Sequence, residues 1–180
     1  MNSSAATLAE TLDQAWHLLT RDTRHGVVLA TVDSDGAPQA RMVALRHCDQ
    51  DRGIVTVHTD LLSSKINGLL ADPRASLHMW APNELVQLRL SGTTQIVTGD
   101  TVQTLWDRVP NDGREAYGHV PPPGTPILTS GDWSISPSPD RFAVLEISLC
   151  HIDVVNLDPK GHRRAEFLRS NTWQGQWVSP

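Results

Sequence analysis

A chain of 180 residues with 39% apolar and 19% charged residues is long enough to bury a core and has neither a disordered nor a membrane composition. Its net charge of −5 argues against a general nucleic-acid binder, whose footprint is basic, so an anionic ligand would rely on a local basic pocket. Apolar runs fall far short of the ~20 residues that span a bilayer.

Residues 1–6 lack the basic and apolar regions of a signal peptide, and two cysteines, Cys48 and Cys150, make no disulfide framework. Both features fit a reducing cytoplasm. Six tryptophans against one tyrosine and two phenylalanines are unusual and carry no functional account.

Thr7 to Leu19 reads as an amphipathic helix, with Leu8, Leu12, Ala15, Trp16 and Leu19 on one face. The pattern breaks at residues 21–24. Gly26 to Val32 lacks alternation and reads as a strand buried on both sides. Asp33 to Gly36 closes a hairpin, Pro38 to His47 is the returning strand, and Ile54 to Thr59 follows the Asp49–Gly53 turn. Short polar turns between strands predict an antiparallel meander. Ser63 caps a short helix with Ile66, Leu69 and Leu70 on one face, stopped at Asp72-Pro73.

Ala75 to Trp80 and Leu85 to Ser91 read as strands, the second continuing through Thr93 to Val97. Its Gln87 and Arg89 lie on a polar face opposite Val86, Leu88 and Leu90. Asp100 caps a helix reaching Arg108. Residues 111–140 are rich in proline and glycine, and a loop this long in a compact chain is often functional. Phe142 to Ser148 and Ile152 to Asn156 resume strand character, and Arg163 to Phe167 with Gln174 to Val178 form a closing hairpin. Without a repeat or a linker, residues 1–180 read as one domain.

The stretch from Arg41 to Lys65 offers groups suited to an anion. Arg41 lies on a strand, Thr59 ends the next, and Ser64 and Lys65 open a helix whose free N–H groups and dipole favour a phosphate. Arg46 lies about 17 Å beyond Arg41 at roughly 3.4 Å per residue, comparable to the length of a mononucleotide. The odd spacing sends the two arginines to opposite faces of a flat strand. Exposed arginines and a capping serine account for the same residues.

Neither the Rossmann nor the P-loop glycine pattern occurs, and there is no Gly-x-Ser-x-Gly elbow. The eight histidines show no tight ligand spacing, and no metal site is expected. Side chains alone build no reactive centre, so a bound cofactor is expected to carry any chemistry.

In order and spacing, Gln39-Ala40-Arg41-Met42-Val43-Ala44-Leu45-Arg46, His58-Thr59-Asp60, Ser63-Ser64-Lys65, Asp72 to Leu77 and Gln87 to Gly92 resemble the pyridoxamine 5'-phosphate oxidase family of FMN-binding split barrels. The resemblance implies a mainly β, antiparallel split barrel with peripheral helices, a homodimer holding FMN at its interface. It implies that Arg41, Ser64 and Lys65 face the phosphate, and that Met42, Val43 and Ala44 lie along the flavin. His58, Thr59 and Gln87 would contact the cofactor, and Arg46 would lie by the ring as the catalytic residue.

Three departures set the chain apart from the vitamin B6 enzyme. Ser64 replaces a usual arginine, the substrate-phosphate residues after Gly92 are not recognisable near Trp106, Arg108 and Val109, and Glu166 stands where an arginine would face the flavin. The expected function is an FMN-dependent oxidoreductase acting on a small molecule, an anionic one among the candidates, with no nucleic acid or membrane partner. Alternatives are a deazaflavin-dependent reductase, a non-catalytic flavin or haem carrier with His58, His78 or His151 as candidate haem ligands, and an apo structural dimer.

Overall fold

The computed structural model describes residues 6–21 and 26–180. The readings of the first five residues and of the pattern break at 22–24 lie outside these. Seven strands form the body: β1 (Val27–Val32), β2 (Pro38–Val43), β3 (Leu45–Asp49), β4 (Ile54–Asp60), β5 (Arg74–Ala81), β6 (Val86–Val97) and β9 (Phe142–Asn156). The antiparallel ladder runs β3-β4-β9-β6-β5-β1-β2. Its two ends are joined by the chain itself, which passes from β2 into β3 through Ala44. This is an antiparallel barrel whose seam is covalent rather than hydrogen-bonded.

The predicted single strand Pro38–His47 is therefore two strands with different partners. Ala44 belongs to neither ladder, and Arg46 is an extra residue between the pairs Leu45–Val57 and His47–Thr56. Such a bulge bends its strand and re-aims its side chain.

A second bulge lies in β9. Ser91 pairs with His151 and Gly92 with Leu149, leaving Cys150 over. Buried positions accordingly switch from Ala143, Leu145, Ile147 and Leu149 to Ile152 and Val154. This parity change is why the sequence reads as two strands where the chain forms one of 15 residues. Gly92 permits it, because a Cβ there would stand 2.3 Å from the Ser148 carbonyl oxygen.

Nor is β1 buried on both sides: its burial alternates, with Leu29 inside and Val28 and Ala30 outside. The main core fills the barrel with Leu29, Val55, Leu77, Leu88 and Leu145, and α1 (Leu8–Arg21) adds Ala15, Trp16, Leu18 and Leu19. The predicted face of α1 thus packs inward, with Leu18 besides.

On the outer face of β4 and β9 a second, smaller core forms. There α3 (Asp100–Arg108) lays Val102 and Trp106 over Phe142, Val144 and Tyr117. Gly99, not Asp100, occupies the N-cap of α3. A short turn, α4 (Asn111–Arg114), leads to β7 (His119–Val120), which pairs with β8 (Ser134–Ile135) at the base of the proline-rich loop. The closing hairpin, β10 (Arg163–Leu168) and β11 (Gly175–Val178), extends the sheet from the second half of β9. Among the described residues no helix is long and apolar enough to cross a membrane.

The helix α2 (Ser64–Ala71) buries Ile66 and Leu69 but leaves Leu70 71% exposed, against the sequence reading. Gly68 brings it against the end of β1. Alanine normally exceeds glycine in a helix by about 1 kcal/mol, yet a Cβ at Gly68 would lie 2.5 Å from the Val32 carbonyl oxygen. Backbone atoms cannot yield as a side chain can. Gly68→Ala is predicted to destabilise by about 1–3 kcal/mol and to lower the melting temperature in thermal unfolding; a raised melting temperature contradicts this packing.

Candidate cofactor and substrate site

The seam at Ala44 divides the expected site residues into two groups. Arg41 pairs with Leu29 in the register of β1 and β2 and so shares the inner face near the barrel's end. Its guanidinium donates to Thr31 Oγ1 at 2.6 Å and to the Leu29 carbonyl at 3.5 Å. The Lys65 ammonium, in the first turn of α2, donates to Thr59 Oγ1 at 2.8 Å and Ser63 Oγ at 2.5 Å. Ser63 occupies the N-cap position but makes no side-chain cap bond, so its hydroxyl serves the lysine.

Each cation thus meets only neutral oxygens. Among the described residues neither Arg41 nor Lys65 forms an ion pair with a carboxylate. Burial lowers the pKa of Lys65, Arg41 lowers it further, and the Asp60 carboxylate opposes both. Two half-buried like charges without a direct ion pair among the described residues, beside the free N–H groups of a helix start, are stabilised by an anion. The adjoining cavity of about 190 Å³, lined also by Gln39, Ser64, Gly68 and Asp33, whose carboxylate accepts from the Asp35 and Ala37 N–H groups and the Gln39 amide, is large enough for a phosphate and too small for a whole mononucleotide.

Arg46 and His58 lie elsewhere. With Leu105, Arg108, Val109 and Tyr117 they border a cavity of about 480 Å³ beneath the end of α3. The His58 ring stands edge-on to Phe142 at 4.8 Å, and Phe142 in turn meets Tyr117 at 5.0 Å. Burial first, and the Arg46 charge second, depress the His58 pKa to about 4, so this imidazole is neutral at pH 7. Burial raises the pKa of the Tyr117 phenol against the pull of Arg46.

Met42 is 62% exposed on the outer face, Val43 and Ala44 are half-buried at the seam, and Gln87 faces outward between Trp80 and Val155. Within one chain Gln87 borders neither cavity.

The sequence reading missed Asp60 as a structural node. It is 4% exposed, accepts both Nε and Nη2 of Arg141 at 3.0 and 2.7 Å, and also accepts the Leu62 and Gly118 N–H groups. Arg141 donates further to the His119 carbonyl. Asp60 thereby ties the segment carrying Tyr117 to the end of β4, next to Thr59. Its partners lie 58 and 81 residues away, beyond the reach of any local pattern.

A family model described as pyridoxamine 5'-phosphate oxidase matches residues 18–155. The chain belongs to that family. A pyridoxine/pyridoxamine 5'-phosphate oxidase of Bordetella petrii is 35% identical over 111 residues, 61% of this chain and 44% of the relative. The chain thus spans about half the length, or less, of the curated relatives it matches.

Two solved structures share the family's fold along nearly the whole chain. A pyridoxamine 5'-phosphate oxidase-related, FMN binding protein from Nostoc punctiforme superposes with a TM-score of 0.78 at 20% identity, covering 98% of this chain and 100% of its own. PhzG from Burkholderia lata 383 gives 0.73 at 21% identity, covering 99% and 95%. The split-barrel fold read from the sequence is therefore the fold of the chain.

The depressed pKa of His58 sets a pH window. The unfolded chain takes up a proton at this residue as pH falls from about 6.5, whereas the folded chain does so only near 4. Folded-state stability is therefore lost across that interval and is flat above it. In urea unfolding at successive pH values, the stability of the parent chain minus that of His58→Gln is predicted to shrink from pH 6.5 to 4. A difference constant with pH contradicts the assignment.

Proposed function

We propose that this chain is an FMN-dependent oxidoreductase that works as a homodimer. The observation that carries the reading is the Arg41–Lys65 pair, two cations held by hydroxyls at a helix start with no carboxylate ion pair among the described residues. That donor set fits a phosphate monoester. Arg41, Lys65 and Ser64 would bind its oxygens, and the stretch from Met42 to Ala44 would run beside the rest of the cofactor.

Bound flavin would supply hydride or electron transfer. The chain's own part is to hold the phosphate, to position the ring along the β2–β3 seam, and to present Arg46 to negative charge on the reduced ring or on a substrate. His58 stays neutral beside Arg46, so it adds no competing positive charge.

The small volume beside Lys65 and the outward position of Gln87 support a two-chain site. In this reading Gln87 reaches the cofactor held by the second copy. The outer faces of β1, β5 and β6, with a cavity of about 590 Å³ over Ala30, Ser76 and Ser91, and with Trp80 43% exposed on β5, would form the shared surface.

Two substitutions test the division of labour. Lys65→Ala should weaken FMN binding by about 1–3 kcal/mol, the size of a charged hydrogen bond, read by fluorescence titration. Arg46→Ala should reduce turnover with a chemical reductant and an electron acceptor more than it reduces FMN affinity. An unchanged FMN dissociation constant for Lys65→Ala removes that residue from the site. Equal losses for Arg46→Ala reduce Arg46 to a binding residue.

A further inference from the structure

The proposed chemistry leans on Arg46, yet the strand that carries it does little to direct it. Arg46 is the extra residue of the β3 bulge, it is exposed, and among the described residues it forms no ion pair. A long arginine side chain in that position is free to point into solvent, and it gives up rotamer freedom when it is held. Asp112 borders the same cavity, but it accepts the Gly113 N–H at 2.9 Å and pairs with neither Arg46 nor Arg108. His58 is neutral there. The group that does engage Arg46 is Tyr117: the arginine's charge and its hydrogen bond to the phenol both oppose the rise in phenol pKa that burial causes.

Tyr117 is the one tyrosine of the chain, and it is held from several sides. Its N–H donates to the Arg114 carbonyl at 2.9 Å, and its carbonyl accepts the Ser138 N–H at 3.3 Å. The next residue, Gly118, donates to the Asp60 carboxylate at 3.0 Å and accepts the Ser136 N–H at 2.8 Å. The tyrosine ring stands edge-on to Phe142 at 5.0 Å and to Trp106 at 6.2 Å. Every backbone polar group of Tyr117 and Gly118 is thereby satisfied. What remains is the phenol oxygen, on the wall of the cavity that Arg46 also lines.

We infer that Tyr117 is the positioning residue for Arg46, its phenol oxygen accepting the guanidinium and keeping it turned toward the cavity beneath α3. A phenol suits this task better than a carboxylate. Kept protonated by burial, it orients the cation without cancelling its charge, so the full positive field stays available to a ring or substrate that gains negative charge. Holding the guanidinium in place beforehand spares that ordering at the moment of reaction. This inference rests on Arg46 facing the reacting group in the reading above.

The test has two arms. In the first, an isotopic label at the tyrosine ζ carbon gives a single phenol resonance, read by NMR on the cofactor-free, full-length protein at neutral pH. Arg46→Ala should move that resonance, whereas Arg108→Ala, which removes the cavity's other lining arginine, should leave it in place. In the second, the FMN-loaded protein is assayed with a chemical reductant and an electron acceptor. Tyr117→Phe, which keeps the packed ring, should lower kcat by about three- to tenfold, the size of one net hydrogen bond, with FMN affinity unchanged. Added to Arg46→Ala, it should cost nothing further, because the residue it orients is already gone.

A resonance unmoved by Arg46→Ala, or moved as much by Arg108→Ala, overturns the inference whatever the flavin does. So do losses that add in the double variant. A resonance that answers to Arg46 alone, in a protein that binds no FMN, supports the pairing and sinks the flavin reading. FMN binding with an unmoved resonance sinks the inference alone.

Discussion

The joint at Ala44 is the constraint on which the rest of the site depends. A continuous strand from Pro38 to His47 would pair with one neighbour throughout and send Arg41 and Arg46 to opposite faces of a single sheet. Instead the chain leaves one ladder after Val43, enters another at Leu45, and carries an extra residue at Arg46. That joint closes the barrel. It also delivers Arg41 to the barrel's end beside α2, and Arg46 to the outer face beneath α3. One short segment thereby serves two cavities of different character.

Those cavities also differ in what surrounds their cations. At the first, each cation donates to its own neutral oxygens, and burial with the neighbouring Arg41 charge destabilises the charged lysine, a strain that an anion relieves. At the second, Arg46 and Arg108 face one carboxylate, Asp112, while Arg114 caps the α3 carbonyls, and the aromatic cluster of Trp106, Tyr117 and Phe142 packs beneath. Asp60 stands between them. Buried, with its carboxylate fully engaged by Arg141 and two backbone N–H groups, it fixes the Tyr117 segment against β4. Removing one partner from such a buried pair typically costs about 3–5 kcal/mol, so the wall of one cavity and the end of the strand carrying Thr59 are held as a unit.

Much of this was legible in the residues. The hairpin at Asp33–Gly36, the helix started at Ser63 and the amphipathic α1 follow from turn chemistry, capping position and periodicity, which are local signals. Antiparallel pairing followed from the short polar turns between strands, and the family from the order and spacing of its motifs. The failures fall where long-range pairing overrides local pattern. The bulges at Arg46 and Cys150 invert the parity of buried positions, so one strand was expected where two form, and two where one forms. Leu70 fits a helical stripe but faces outward, because Gly68 sets which side of α2 meets β1. The residue order groups Arg41, Thr59, Ser64 and Lys65 and already sets Arg46 about 17 Å from Arg41; it gives no means of seeing that His58 joins Arg46 beneath α3, since that placement arises from barrel closure. Asp60 and Arg141, 81 residues apart, give no local signal at all.

The central claim is that the Arg41–Lys65 cluster holds the phosphate of a flavin. The most direct measurement is the absorption spectrum of the protein as purified, with mass spectrometry of any cofactor released on denaturation and a titration of the stripped protein with FMN. The account predicts a flavin spectrum, release of FMN and saturable rebinding that inorganic phosphate competes. A colourless protein that fails to bind added FMN contradicts it.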